Sequence, residues 1–524
     1  MNTAGRMLLC FALAVAAPLA RAQVVPDGMA VEPLVTGLSA PTGFDFLPDG
    51  RVLFVEQFTA RVRVFREGAG VQATPVISVA GVSSGGERGL LGIAVDPRFP
   101  ASPYLYLYYD VASPQSIRIS RYTLAGDLAG TGGDLTADPA TRYDVLTGIP
   151  DAASNHNGGT LRFGLDNLLY SGLGDDASSC SAQTPGLRGS LLRLNVLGLP
   201  PGAGHAFFAQ IAPADNPFAA STDSAARLVA AYGLRNPFRV QLDTGSGVLV
   251  IGDVGATVRE EVDLLAPPGS GPLAGAPLGT NFGWPYREGT IVNPGGATCG
   301  TAPPGLVPPI WDFDRTSETN AAIIAAGVYR SHAGQTRALP ADHVGDVFAS
   351  DYYSGVLYRL KLTGGTWAIA PPIAGQPSAT HWGEGFSEIS DWRVGPDGAF
   401  WYCRQSTNFV ANTGSLGRVA GPGTVSVPPP ARDARFAIRS LVSPAVGGAR
   451  FAVAAPVAVT VRIVDAAGRA VRELAVGAPG GAASERTLVW DGRNVAGDAV
   501  TPGMYVAVLA AGSHVRATRV VLLR

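Results

Sequence analysis

The stretch SNHNGGTLRFGLDNLLYSGLGDD, Ser154 to Asp176, sets His156 in a glycine-rich turn nineteen residues before Asp175, which sits in a Gly-Asp turn. An imidazole with a pKa near ~6.5 is largely neutral at working pH and can take the proton of a hydroxyl. A carboxylate returning beside it would orient the ring and stabilise the imidazolium. The competing reading is a turn histidine that feeds an ordinary strand. Other residues able to do chemistry are Glu87, the pair Arg235-Asn236 and the pair Glu260-Glu261. Taken alone, Glu87 reads as a loop carboxylate paired with Arg88. Arg235-Asn236 reads as a turn before Pro237, and Glu260-Glu261 as a solvated strand start.

The elements that must position these residues are β-strands. The chain of 524 residues contains 67 glycines and 41 prolines, and short runs rich in Val, Tyr, Phe and Leu lie between them, a turn-dense all-β pattern. An apolar lead-in, a turn such as PDG, a β-rich run and a second alternating run recur six times. The first is PTGFDFLPDGRVLFVEQFTARVRVF, Pro41 to Phe65, and the sixth is WRVGPDGAFWYCRQ with GSLGRVA. Such units cannot bury their apolar faces singly, so a six-bladed β-propeller is expected, with loops at one end converging on an axial pocket. The segments GAGHAFFAQ and DNPFAA read as a long insertion between the third and fourth units.

The expected organisation is a leader at 1–22, a propeller at 23–422, a proline-rich linker at 423–432 and a small immunoglobulin-like β-sandwich at 433–524. Arg6, the apolar run Met7 to Leu19 and Ala20-Arg21-Ala22 form a signal-peptide pattern, which implies a secreted or periplasmic protein. No later run approaches the ~20 apolar residues of a membrane span. A formal charge of -2 gives no basic footprint for nucleic acid. Cys180 and Cys299 lie in loops of Ser, Gly and Thr, whereas Cys403 lies in the strand-like FWYCR. The expected disulfide is therefore Cys180–Cys299, with three unpaired thiols as the alternative.

Several motifs, in order, resemble the soluble glucose/sorbosone dehydrogenase family. They are ERGLLGIAVDPRF, NHNGGTLRFGLDNLLYSGLGDD, GLRNPFR, GDVGATVREEVDLL, NFGWP, GVYR and GDVFASDYYSGVLYRL. The resemblance implies a six-bladed propeller that oxidises a sugar hydroxyl by hydride transfer to pyrroloquinoline quinone (PQQ), with Ca2+ polarising the quinone and an external acceptor taking the electrons. It implies His156 as base, Asp175 as its partner, and Arg235 and Asn236 facing the cofactor. Arg330 stands where members often carry lysine, and Glu87 where glucose-active members carry glutamine. The carbonyls of Gly255 and Ala256 align with the cofactor-linked calcium, and Glu261 with the carbonyl of Phe282 aligns with a second calcium.

One departure bears on the cofactor. Where PQQ users read Arg-Ile-Arg-Asp, this chain reads Glu388-Ile389-Ser390-Asp391. The two arginines that would clamp cofactor carboxylates are replaced by Glu388 and Ser390, so tight PQQ binding is not expected. The alternative reading is a non-catalytic, calcium-stabilised propeller that binds carbohydrate or a protein partner. A third is a calcium-dependent hydrolase such as a lactonase. The C-terminal segments VRIVDAAGRAVREL and VWDGRNVAGDAVTPGMYVAVL resemble the immunoglobulin-like domain of flagellar hook-capping proteins, a module for cell-surface or protein contact.

Overall fold

The computed structural model describes residues 22–271, 273, 275–296, 299–315, 320–332, 334–422, 437–441, 445–454, 459–465, 470–476, 486–511 and 514–523. The leader before Ala22 and the linker at 423–432 lie outside these residues. The chain divides into two units, Met1–Thr424 and Val425–Arg524. Both are built almost wholly of strands, and among the described residues no helix is long and apolar enough to cross a membrane.

In the larger unit, antiparallel sheets follow one another along the chain. The first runs Pro41–Phe46, Val52–Glu56, Arg61–Arg66, and the second Leu90–Val95, Tyr104–Ala112, Gln115–Gly126, Tyr143–Ile149. The third runs Leu161–Phe163, Leu169–Leu173, Ser190–Leu194, Val229–Tyr232, and the fourth Arg239–Leu242, Leu249–Asp253, Arg259–Ala266. The fifth runs Ile323–Val328, Val347–Asp351, Leu357–Thr363, Thr366–Ile369. In the sixth, Ile389–Val394, Phe400–Arg404 and Gly414–Ala420 take their outer partner from the other end of the chain, Ala30–Leu38. The segment at 195–228 lies inside the third sheet, between its third and fourth strands, and not between the third and fourth units.

The first strand of each sheet touches the first strand of the next, and that of the sixth touches that of the first. Leu90–Val95 is buried along its whole length, as a strand flanked on both faces must be. Further out, Arg61–Arg66 alternates buried valines with arginines that reach solvent. Each seam between neighbouring sheets holds its own apolar cluster. Phe44 and Phe54 of the first sheet meet Trp401 and Leu416 of the sixth, closing the circuit. In the smaller unit, strands such as Ala449–Ala454 and Val459–Val464 surround Phe451, Val461, Ile463 and Trp490.

The closing seam yields a stability prediction. Phe44 is fully buried there, so Phe44→Ala is expected to cost about 3–5 kcal/mol in denaturant unfolding followed by tryptophan fluorescence. A cost below about 1 kcal/mol would mean that this seam is not tightly packed.

Candidate active site

Two glycine-rich turns bring His156 and Asp175 together. His156 itself has a left-handed φ of 61°. A Cβ at Gly174 would lie 1.8 Å from the His156 carbonyl oxygen, so only glycine lets the turns approach this closely. His156 Nδ1 lies 2.6 Å from Asp175 Oδ1, and the carboxylate is 1 % exposed. The indole N–H of Trp284 donates to Asp175 Oδ2 at 2.8 Å, so both carboxylate oxygens are engaged. A ring that donates from Nδ1 keeps its lone pair on Nε2, the form a general base requires.

Trp284 is itself held in place. Gln183 donates to its carbonyl oxygen and accepts from Asn281 Nδ2 at 2.9 Å. A disulfide joins Cys180 to Cys299, with Cα atoms 5.4 Å apart. It links the loop after Asp175 to the loop after Trp284. Cys403 is buried and forms no disulfide.

Glu87 belongs to the same cluster and not to an ion pair with Arg88, which instead grips Asp151. Its Oε2 accepts from the backbone N–H of His156 at 2.7 Å and from Asn236 Nδ2 at 3.4 Å. Asn236 Oδ1 accepts from the Gly158 N–H at 3.1 Å. The backbone N–H groups of Arg235 and Asn236 both donate to the buried carboxylate of Asp253, at 2.8 and 2.6 Å. The Arg235 guanidinium donates to the Val254 carbonyl and lies over the Trp284 ring, 5.5 Å from its centroid.

Glu87, Asn236 and Val254 line a cavity of about 510 Å³ whose other walls include Gln57, Tyr352, Tyr353, Gln405 and Phe409. Tyr352 donates to Gln405 and Gln405 donates to Gln57, a row of neutral polar groups. Among the described lining residues there is no arginine or lysine. Tested against a planar quinone with three carboxylates, the cavity therefore fits the ring by size and aromatic walls. It does not fit the charges.

Several residues expected at the cofactor lie elsewhere. Arg330 is bound through two 2.6 Å bonds to Asp243 and lines a second cavity, with Asp45, Gln241 and Arg393. Ala322 and Ile324, at one end of the strand Ile323–Val328, line the first cavity, whereas Val328 and Arg330 line the second. Arg330 thus sits past the opposite end of that strand from Asn236's cavity. Ser390 is fully buried and bonds to the carbonyls of Pro41 and Cys403. Glu388 accepts from the Ser406 hydroxyl and the Phe409 N–H, so its carboxylate pins the loop that carries Phe409.

The calcium ligands separate in the same way. Gly255 O accepts from Arg315 Nη1 at 2.9 Å, so the carbonyl expected to bind metal faces a guanidinium, and the cofactor-linked calcium does not fit there. The N–H groups of Ala256 to Arg259 all donate to Glu288 Oε1. Glu261 accepts from the Gly289 N–H and is buried beside Asp253 and Asp263, and Asp263 has no hydrogen-bond partner on either oxygen. Burial pushes Glu261 and Asp263 well up; Asp253 repels both, and Asp263 also repels Glu261. A divalent cation would hold such carboxyls ionised. Among the described residues, however, no three His, Cys, Asp or Glu side chains form a ready cage, so carbonyls such as that of the buried Phe282 would have to complete it.

The sequence pattern does not point to Trp284, Arg315 or the neutral wall of Gln57, Tyr352 and Gln405 as site residues. Of these, Trp284 carried a signal, because it lies within NFGWP.

Comparison with known proteins gives two matching family models. Residues 38–409 match the glucose/sorbosone dehydrogenase model, and residues 440–514 match the FlgD Ig-like domain. The chain is 28% identical over 265 residues to the aldose sugar dehydrogenase YliI of Escherichia coli K12, covering 50% of this chain and 62% of that protein. A solved structure described as a putative oxidoreductase (glucose dehydrogenase) from Thermus thermophilus is similar at 27% identity and TM-score 0.54. It covers 75% of this chain and 100% of its own. The PQQ-bound aldose sugar dehydrogenase of Streptomyces coelicolor, at 23% identity and TM-score 0.53, covers 75% of this chain and 99% of its own, and speaks to the fold alone.

The loop that carries Glu87 provides a pH test. The Gly89 N–H donates to Asp110 Oδ2 at 2.8 Å, and burial pushes the Asp110 carboxyl up to about 8. A folded-state pKa above the unfolded value of about 3.9 means that this group's contribution to stability is complete below about pH 4. The contribution is lost as pH rises through 8. Asp110→Asn stays neutral, so it is expected to flatten this slope and to melt higher than the parent above about pH 8. Parallel slopes for the two proteins in melts from about pH 4 to 9 would contradict this.

Proposed function

The chain belongs to the glucose/sorbosone dehydrogenase family, and from that premise we propose that it is an exported sugar dehydrogenase. Its larger unit is read as a six-bladed β-propeller and its smaller unit as an immunoglobulin-like sandwich for surface or protein contact. The observation that carries the reading is the 2.6 Å contact between His156 and Asp175, joined through the His156 N–H to Glu87, which with Asn236 lines an aromatic cavity.

In this reading the cavity takes a sugar, and His156 Nε2 accepts the proton of the hydroxyl being oxidised. Asp175 holds the ring through Nδ1 and stabilises the imidazolium that forms, while Trp284 keeps the carboxylate from rotating away. Glu87 fixes the backbone of His156 and so sets where the ring sits. The walls of Tyr352, Tyr353 and Phe409 exclude water around a flat ligand. PQQ, which the Streptomyces coelicolor relative binds, would supply the hydride acceptor. Asn236 and the aromatic walls would hold its ring. With no cation for its carboxylates, it is a loosely held, exchangeable cofactor. A structural calcium beside Glu261 is part of the same reading.

The test is an artificial-dye assay across a panel of aldoses, with PQQ and calcium in excess. The expected outcome is sugar-dependent dye reduction. His156→Ala is expected to lower kcat by about 100- to 10,000-fold, and Asp175→Asn by at least about 100-fold. PQQ titrated by its absorbance is expected to bind weakly, at no better than micromolar Kd. No reduction with any aldose by the unsubstituted protein would sink the proposal.

A further inference from the structure

The turn at 255–259 is closed on both sides by the protein's own charged groups. Its N–H groups converge on Glu288, and its Gly255 carbonyl accepts from Arg315. The same Nη1 of Arg315 donates to Glu260 Oε1 at 2.7 Å. The other oxygen of Glu260 accepts from the Ile323 N–H at 2.8 Å, and the carboxylate is fully buried. Ala322 and Ile324, on either side of that N–H, line the cavity, as does Val254, next to Gly255. The guanidinium is therefore held directly behind the cavity wall, 15 % exposed, by one carbonyl and one carboxylate.

A calcium ion bound to the Gly255 oxygen at about 2.4 Å would lie no more than about 5 Å from the guanidinium nitrogen bonded to the same oxygen. Two cations at that separation repel strongly; of the carboxylates beside the turn, Glu260 is already bonded to the arginine and Glu288 to the N–H groups of residues 256–259.

We infer that Arg315 takes the place of a metal ion at this turn: its guanidinium, fixed by Glu260, supplies the positive charge behind the cavity wall, and the turn needs no calcium. A guanidinium is charged at every accessible pH and cannot be removed by a chelator, so the charge is permanent. The inference rests on the family reading of the turn. Its test measures calcium and not turnover, so either can fail without the other.

The full-length protein, stripped with a chelator, is titrated with calcium chloride by calorimetry. Glu260→Gln is expected to bind as many calcium ions per chain as the unsubstituted protein. Arg315→Gln is expected to bind one more, because Glu260 and the Gly255 carbonyl are released to a metal. Loss of a calcium in Glu260→Gln overturns the inference, and so does an unchanged count in Arg315→Gln with a native circular dichroism spectrum. Where Arg315→Gln does not fold, the count for Glu260→Gln decides.

Discussion

Asp391 is the fixed point of the larger unit. It is fully buried, and both of its oxygens accept from Arg162 Nη2, at 2.7 and 2.9 Å. It also accepts from Gln241 Nε2 at 2.8 Å and from the backbone of Phe44 and Trp392. Beside it, Arg239 donates to the carbonyls of Ser390, Leu91 and Thr42. Innermost strands of the first, second, third, fourth and sixth sheets are thus tied through one polar knot. Ions so deeply buried are costly unless every partner is present. Here burial and the neighbouring Arg162 pull the Arg239 guanidinium down to about 10. The knot tolerates one register for each inner strand, and that register decides which side chains face the axis.

Fixed registers give the unit two distinct mouths. Loops entering the inner strands carry Glu87 and Asn236 to one cavity, and the opposite ends of the inner strands carry Arg330 and Arg393 to the other. This is why a motif can be recognised and still be misplaced. GVYR is legible as a strand end, but nothing local says which mouth that end serves. One strand of six residues separates the two answers by about 20 Å. The closing strand Ala30–Leu38 was missed for a related reason. Its partner, Gly414–Ala420, lies at the other end of the sequence, and pairing so remote leaves no mark on local alternation.

What was legible follows from what is local. The turn-strand-turn repeats mark the six sheets that follow one another in the larger unit, because the three inner strands of each are neighbours in sequence. His156 and Asp175 were legible because the two turns that bring them together consist of glycines that only close backbone approach requires. The partners that hold them were less so. Glu87 looked paired to Arg88, yet Arg88 turns to Asp151 across 63 residues, which frees Glu87 for the backbone of His156. Arg315 stands directly after the short strand Trp311–Asp314, where nothing local names its partner, so only the folded turn shows that its guanidinium meets the Gly255 carbonyl.

The distribution of positive charge ties these observations to function. Arg162 and Arg239 are engaged on the axis by Asp391 and backbone carbonyls, Arg330 by Asp243, and Arg315 by Glu260. Glu388 pins the Phe409 loop and the buried Ser390 packs against the first sheet, so neither position adds a cation. The cavity beside His156 is left with amides, hydroxyls, aromatic rings and the single carboxylate of Glu87. Such a wall discriminates by shape and hydrogen-bond geometry and repels multiply charged anions. A neutral sugar meets no electrostatic barrier there, whereas a tricarboxylate must enter against one. The same architecture that holds His156 against Asp175 therefore leaves the adjoining cavity without a cation for an anionic ligand.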